Sequence, residues 1–147
     1  MGLDLGEKRI GVALSDVYGL LASPTTTLQA RPRAQAIEQI GRLAREHTVV
    51  ELVIGLPLTL RGEVGPQAQI VQAFAAEIEQ ALSLPIRFFD ERLTSAAAEQ
   101  MLRELGVKPE KRKQQIDQVA AAIILQDYLD HQRNRERQLE QSTDRAD

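Results

Sequence analysis

The segment Gly2-Leu3-Asp4-Leu5-Gly6-Glu7-Lys8-Arg9-Ile10-Gly11-Val12-Ala13-Leu14 carries the clearest signal of how this chain folds. Two β-rich stretches in it are separated by the polar turn Gly6-Glu7-Lys8-Arg9, which predicts a short strand, a tight turn and a second strand over residues 10–15. Another turn at residues 16–19 leads into an extended segment around residues 21–28. We therefore expect the chain to open with three antiparallel strands.

Helical and strand patterns alternate downstream of this opening. The predicted helices cover residues 31–47, 66–82, 96–105 and 114–131, and the predicted strands cover residues 51–54 and 85–89. Antiparallel strands followed by alternating strands and helices predict an α/β domain with a mixed five-stranded sheet flanked by helices. We expect this domain to span residues 1–131 and the polar segment 132–147 to fray.

Composition limits the class of protein. The chain has 147 residues, of which 43% are apolar, and this suits one domain with a core of its own. The absence of cysteine excludes disulfides and thiolate metal sites. No signal peptide and no apolar run of membrane length is visible, so we expect a cytoplasmic protein without membrane contact. The net charge of −3 argues against a protein that depends on non-specific phosphate binding, because such binding needs a basic surface.

Asp4 is the first candidate site residue. It lies in the apolar stretch Gly2-Leu3-Asp4-Leu5-Gly6, where a charge is costly unless it is paired or bound to a cation. The glycines on either side leave open space for a ligand. The alternative roles are those of a surface acid at a strand end or of an acid bonded to a turn amide.

Asp90 and Glu91 are the second candidates. They close the strand predicted at residues 85–89, just before a helix, and this is where parallel sheets place ligand groups. Because side chains alternate along a strand, only one of the two can face a given site, and alternation does not say which. The alternative is a helix-start acid, which the helix dipole stabilises by roughly 0.3–1 kcal/mol.

Asp117 is the third candidate. It lies in the first turns of the helix predicted at residues 114–131, before the small residues 120–122, which let that helix pack close to the sheet. A helix N-terminal acid is again the alternative. Together, three such carboxylates can form a cage for a hard cation such as Mg²⁺ or Mn²⁺. Two such ions, roughly 3.5–4 Å apart, can activate water and stabilise the leaving oxygen of a phosphodiester.

Five stretches, in the same order, resemble the YqgF-type family, whose members are described as Holliday junction resolvases or as pre-16S ribosomal RNA nucleases. They cover nearly the whole chain except the C-terminal tail. The stretches are Gly2-Leu3-Asp4-Leu5-Gly6-Glu7-Lys8-Arg9-Ile10-Gly11-Val12-Ala13, Val53-Ile54-Gly55-Leu56-Pro57-Leu58, Gly65-Pro66-Gln67-Ala68, Asp90-Glu91-Arg92-Leu93-Thr94-Ser95 and Ile116-Asp117-Gln118-Val119-Ala120-Ala121. Family members usually carry a few residues before the first Gly-Leu-Asp, so we expect an unusually short first strand.

The resemblance implies a ribonuclease-H-like fold and a nuclease site that uses Mg²⁺ or Mn²⁺. The acidic positions of the family fall on Asp4, Glu91 and Asp117, which favours Glu91 over Asp90. It also places three cationic residues near the site, as phosphate contacts or as members of structural ion pairs: Lys8, Arg9 and Arg92.

A basic cluster precedes Asp117 at residues 108–113, a segment that we predict as a loop. Nucleic-acid contact is one role for such a cluster, and a solvated loop is the usual role of a charge run. The candidate nucleic-acid contacts in it are Lys111, Arg112 and Lys113.

The expected function is that of a divalent-metal-dependent endonuclease on structured nucleic acid, RNA rather than DNA, which matures the 5′ end of pre-16S rRNA. One alternative is a Holliday junction resolvase on DNA, and another is a non-catalytic RNA or ribosome-assembly binding module with the same fold. Asp-x-Gly near a hairpin also resembles the sugar-kinase and actin-like ATPases, but these enclose ATP with a second domain, for which 147 residues leave no room. The chain is expected to act as a monomer or a homodimer.

Overall fold

The structure is a computed structural model that describes residues 1–92, 100, 103, 104, 106 and 108–146, without the side chains of residues 110–114 and 146. Within that part lie five strands and three helices. The strands are β1 (Gly2–Leu5), β2 (Arg9–Ser15), β3 (Ala22–Gln29), β4 (Leu52–Leu56) and β5 (Ile86–Asp90). The helices are α1 (Arg33–Glu46), α2 (Pro66–Leu82) and α3 (Pro109–Ala146).

The strands form one mixed sheet in the order β3-β2-β1-β4-β5. The first three strands pair antiparallel, because tight turns connect them. The pairs β1–β4 and β4–β5 are parallel, and the β4–β5 connection runs through α2. The predicted mixed sheet with an antiparallel opening is therefore confirmed, and β1, with four residues, is short as expected.

The two faces of the sheet carry separate apolar layers. On one face, Leu3 and Ile54 pack with side chains of α1 and α2 such as Ile40 and Ile78. On the other face, Val53 packs with side chains of α3, including Ala121, Ile124 and Leu125. Neighbouring residues on a strand point to opposite faces, which explains why Val53 and Ile54 belong to different layers. The same alternation directs Asp4 toward α3, since Leu3 and Leu5 belong to the α1–α2 layer.

The bounds predicted for the last helix were wrong. The supposed basic loop at residues 108–113 is helical from Pro109 onward, and the helix continues past residue 131 to Ala146. Proline suits a helix start because its missing N–H would have no partner there. From residue 110 to residue 146 the sequence holds neither glycine nor proline, so nothing local breaks the helix. Beyond residue 131 almost all side chains are exposed, so packing contributes little, and fraying of this end stays a prediction.

The helix predicted at residues 96–105 falls largely outside the described residues. None of the described helices is both long enough and apolar enough to cross a membrane.

Candidate active site

Gly11 brings Asp117 to Asp4. It is the Cα partner of Asp4 in the β1–β2 ladder, so both residues face α3. A Cβ built on Gly11 would overlap the backbone carbonyl of Asp117. The absence of a side chain at Gly11 therefore lets the first turns of α3 lie directly on the sheet, and it sets Asp117 beside Asp4.

Gly55 does the same for Glu91 on the other side of β1. In the parallel β1–β4 pair, Leu3 is the partner of Ile54. The next residues along the two strands are Asp4 and Gly55, which therefore lie side by side. A Cβ on Gly55 would overlap the carboxylate of Glu91, so this glycine leaves the space that the glutamate fills. Sequence reasoning missed both glycines as site residues. The available signal for Gly11 was its place inside a predicted strand, where glycine often marks a close approach of another group, whereas Gly55 directly follows the strand predicted at residues 51–54.

Asp4 and Glu91 are hydrogen-bonded to each other, and both residues are half-buried. Burial, with the nearby charge of Asp117, raises the pKa of Asp4 to about 6, although the bond from Glu91 opposes this rise. Burial raises the pKa of Glu91 to about 8, and the charge of Asp4 and the bond to Asp4 add to the effect. Two carboxylates so close cannot both ionise at low cost, so near neutral pH the pair holds one proton between them.

Asp117 is tied to Arg9. The Nε of Arg9 donates to Oδ2 of Asp117 across 2.8 Å, and the Asp117 side chain is 20% exposed. The two residues stand 108 positions apart in the chain. This contact is a structural ion pair, which is one of the two roles expected for Arg9; the other is phosphate contact.

Asp90 is engaged elsewhere. The Nε of Arg92 donates to Oδ2 of Asp90 across 2.7 Å, and this partner lowers the pKa of Asp90. Nη1 of Arg92 also donates to the backbone oxygen of Leu60, across 3.4 Å. Arg92 thereby links the end of β5 to the loop after β4. Glu91, not Asp90, is the acid that contacts Asp4.

The remaining cationic candidates are Lys8 and residues 111–113. Lys8 is exposed in the turn between β1 and β2, and its backbone oxygen accepts a bond from the N–H of Ala30. The backbones of Lys111, Arg112 and Lys113 lie in α3, ahead of Asp117, and their side chains fall outside the described residues.

The three carboxylates fit a hard divalent cation by their chemistry, since such ions take oxygen ligands. Asp4 and Glu91 are already in contact, and their raised pKa values show that ionising both carboxyl groups is costly in the absence of a positive charge. In the part of the chain that the structure describes, however, no three acidic or imidazole side chains are gathered tightly enough to hold a metal. The assembled part of the candidate centre is the Asp4–Glu91 pair, because the Asp117 carboxylate is bonded to Arg9.

The Asp4–Glu91 pair predicts an unusual pH dependence of stability. Both folded pKa values lie above the ordinary values of 3.8 and 4.5, so between about pH 4 and pH 8 the folded chain holds more protons than the unfolded chain. The free energy of unfolding should therefore fall as pH rises through this range, by an amount on the order of 3 kcal/mol. Urea denaturation at pH 5 and pH 8 measures the difference.

Glu91→Gln should remove most of this pH dependence, since the amide cannot ionise. Glu136→Gln is the matched control, because Glu136 is exposed on the distal part of α3. An equally steep fall in both variants would show that other groups cause the dependence.

Known proteins similar to this chain match it over most of its length. The family model RuvX, described as Holliday junction resolvase, matches residues 1–131. A relative from Chloroflexus aurantiacus is 59% identical over 98% of this chain and 96% of its own length, and one from Moorella thermoacetica is 49% identical over 88% and 93%. Both are named "Putative pre-16S rRNA nuclease".

Solved structures resemble the fold. The structure titled "T. thermophilus RuvC in complex with Holliday junction substrate" aligns with a TM-score of 0.53, 16% identity, and coverage of 87% of this chain and 90% of that chain. At this identity the likeness concerns the ribonuclease-H-like fold alone. The family match and the two relatives confirm the YqgF-type resemblance, and the chain therefore belongs to the RuvX family of Holliday junction resolvases, a family of nucleases.

Proposed function

We propose that this chain is a divalent-metal-dependent endonuclease that cuts structured RNA and matures the 5′ end of pre-16S rRNA. The observation that carries the proposal is the half-buried, proton-sharing pair of Asp4 and Glu91 with Asp117 beside it. The names of the relatives, at 49% and 59% identity, support the RNA substrate. The description of the family model supports the alternative, resolution of DNA junctions.

Asp4, Glu91 and Asp117 would hold Mg²⁺ or Mn²⁺. When bound, the ion would supply a water of lowered pKa and neutralise charge on the phosphoryl group. Asp4 is fixed on the central strand β1, so it anchors the site against movement. Glu91 would hold the ion as a carboxylate, so it would have to be without the proton that it shares with Asp4, because a carboxylate must be deprotonated to act as a ligand. The bond from Arg9 holds the Asp117 carboxylate in place.

Cationic side chains would guide the nucleic-acid backbone to these acids. Lys8 is exposed in the turn that follows the Asp4 strand, and phosphate contact is its proposed role. Residues 111–113 precede Asp117 on the same helix by about 6–9 Å along its axis. We propose that Arg9 and Arg92 contribute as well, each from an ion pair that keeps its side chain in place.

Metal binding should be detectable without any substrate. Millimolar Mn²⁺ should raise the melting temperature of the wild-type chain at pH 8 by about 5 °C, because it binds the folded state and neutralises the acids. The rise should shrink at pH 5, where protons compete for the pair, and it should disappear in Asp117→Asn combined with Glu91→Gln. Asp144→Asn serves as the control, since Asp144 is exposed near the end of α3. An equal rise in all variants would place the ion elsewhere.

The substrate is decided by a direct comparison. A precursor 16S rRNA fragment and a four-way DNA junction are incubated side by side with the chain and Mn²⁺ or Mg²⁺. Cleavage of the RNA at its 5′ precursor segment is the expected result. Cleavage of the junction alone would replace the proposal with the resolvase alternative. Tight RNA binding without cleavage of either would support the non-catalytic module, and light scattering of the same samples would separate a monomer from a homodimer.

A further inference from the structure

A cavity of about 230 Å³ lies on the face of the sheet opposite to α3. Three segments enclose it: the end of β1 with the turn after it, the β3–α1 connection, and the first half of α2. Sites for drug-sized ligands usually measure about 300–1,000 Å³, so this cavity suits a smaller unit.

The wall of this cavity is apolar on one side. Leu5, Ala30, Val71 and Phe74 line it from the core, and these four side chains are buried or half-buried. Ile70 joins them from α2, yet it is 61% exposed, so part of the apolar wall is open to solvent. A flat apolar group entering from solvent would therefore find a surface to pack against.

The polar lining is mainly cationic. The Arg33 guanidinium lies 4.9 Å above the ring centroid of Phe74 and donates to Oε1 of Glu77 across 3.1 Å. Arg31 is exposed and makes no ion pair within the described part of the chain. Glu7 is the acidic member of the lining. Planar guanidinium groups stack on bases and pair with phosphates.

Gln67 adds a further property. Its amide has both donors and an acceptor, which suits the hydrogen-bonding edge of a base, and it is exposed at the start of α2. An apolar wall, the guanidinium over Phe74, an exposed guanidinium and an amide together match the parts of a nucleotide.

The cavity is close to the candidate active site. Leu5 lines it, and Leu5 directly follows Asp4 on β1. Consecutive residues on a strand stand about 3.3 Å apart and face opposite sides, so the acids and the cavity flank the same strand end. The turn at Gly6 to Arg9 lies between them, and the N–H of Ala30 donates to the oxygen of Lys8 across 2.9 Å. A nucleic-acid strand crossing this turn would contact both places.

We propose that this cavity binds one nucleotide unit of the substrate, with the base against the apolar wall and a phosphate on Arg31. The inference rests on the proposed nuclease function, and it assigns a binding site beyond the acids. By holding one unstacked nucleotide, the cavity fixes which phosphodiester reaches Asp4 and Glu91. A free mononucleotide has the same chemistry, and the experiments below separate the two sources.

The first experiment uses small probes and methyl NMR of the wild-type chain. Adenosine 5′-monophosphate should shift the methyl signals of Leu5, Ile70 and Val71. Adenosine alone and inorganic phosphate alone should shift them less at equal concentration, because each provides half of the contacts. Unmoved methyl signals with the nucleotide would overturn the proposal.

The second experiment measures affinity for the precursor rRNA fragment in an Asp4→Asn background, which separates binding from cleavage. Arg31→Ala should weaken binding roughly tenfold, as expected for loss of a charge-assisted contact. Ile70→Glu should weaken it by a similar factor, since it places a charged, hydrated carboxylate in the apolar wall where the base would pack. Arg45→Ala and Leu139→Glu are the matched controls: Arg45 lies at the other end of α1, and Leu139 is 67% exposed on α3.

Unchanged RNA affinity in both cavity variants would overturn the substrate assignment. If the mononucleotide still shifted the methyl signals, the cavity would be a site for free nucleotides instead. The outcomes for the two proposals differ. RNA binding that depends on the cavity, without metal-dependent cleavage by the wild type, would sink the nuclease proposal and leave this one standing. Metal-dependent cleavage with wild-type kcat/KM in Arg31→Ala and Ile70→Glu would sink the cavity proposal and leave the nuclease proposal standing.

Discussion

Asp4→Asn is expected to reduce metal-dependent cleavage by about a thousandfold or more while the folded chain becomes more stable. Asparagine keeps the shape of the side chain but removes the charge that would bind the cation. The same change also removes the repulsion of Asp4 with Glu91 and Asp117 and the cost of burying a carboxylate. The free energy of unfolding at pH 8 should therefore rise by about 1–3 kcal/mol. Single-turnover cleavage and urea denaturation measure the two effects on one preparation.

The opposite signs of these two effects make the test specific. A variant that lost activity by misfolding would also lose stability, whereas an active-site acid that is costly to bury gains stability when it is neutralised. Asp144→Asn is the control and should change neither quantity, because Asp144 is exposed near the end of α3. Full cleavage activity in Asp4→Asn would refute the proposed site.

Gly11→Ala is expected to lower the free energy of unfolding by about 3 kcal/mol or more, at the upper end of what overpacking costs. The new methyl group would meet the backbone carbonyl of Asp117, and a backbone group within a helix cannot rotate away as a side chain can. Helix α3 would have to move off the sheet and take Asp117 with it. Cleavage should fall together with stability. Urea denaturation followed by circular dichroism measures the first effect.

Gly41→Ala provides the matched control. This glycine is also buried, yet the nearest neighbour of the added methyl group would be Cδ2 of Leu82, 2.8 Å away, at the flexible end of a side chain. Alanine also favours a helix over glycine by roughly 0.5–1 kcal/mol, which offsets the crowding in α1. Gly41→Ala should therefore stay within about 1 kcal/mol of the wild type. Equal losses in both variants would mean that contact with α3 is not what Gly11 protects.

Much of the fold follows from local signals in the chain. Turn residues at Gly6 to Arg9 and the apolar stretches around them predicted the hairpin that opens the sheet, and the structure confirms it. Local signals failed to predict where α3 begins. A run of charges before Asp117 suggested a loop, but charged residues such as lysine and glutamate are good helix formers, and no breaker follows Pro109.

The pairing of the carboxylates could not be worked out from local patterns. Alternation along β5 left Asp90 and Glu91 equivalent, and the family resemblance favoured Glu91. The structure adds the physical difference between them: Arg92 holds Asp90, and Gly55 leaves room for Glu91 to reach Asp4. The contact between Arg92 and Asp90 is local, but the room for Glu91 depends on Gly55 in β4, which no pattern within β5 contains.

Local patterns in the chain were enough to predict the succession of strands, the antiparallel opening and three candidate acids, because these depend on residues near each other along the backbone. Contacts between distant segments make Asp4 and Glu91 share a proton, bind Arg9 to Asp117 and enclose the cavity beside Phe74. Burial, repulsion between charges and close packing act between residues that are adjacent in space. Residues 108 positions apart become neighbours only when the sheet and α3 come together.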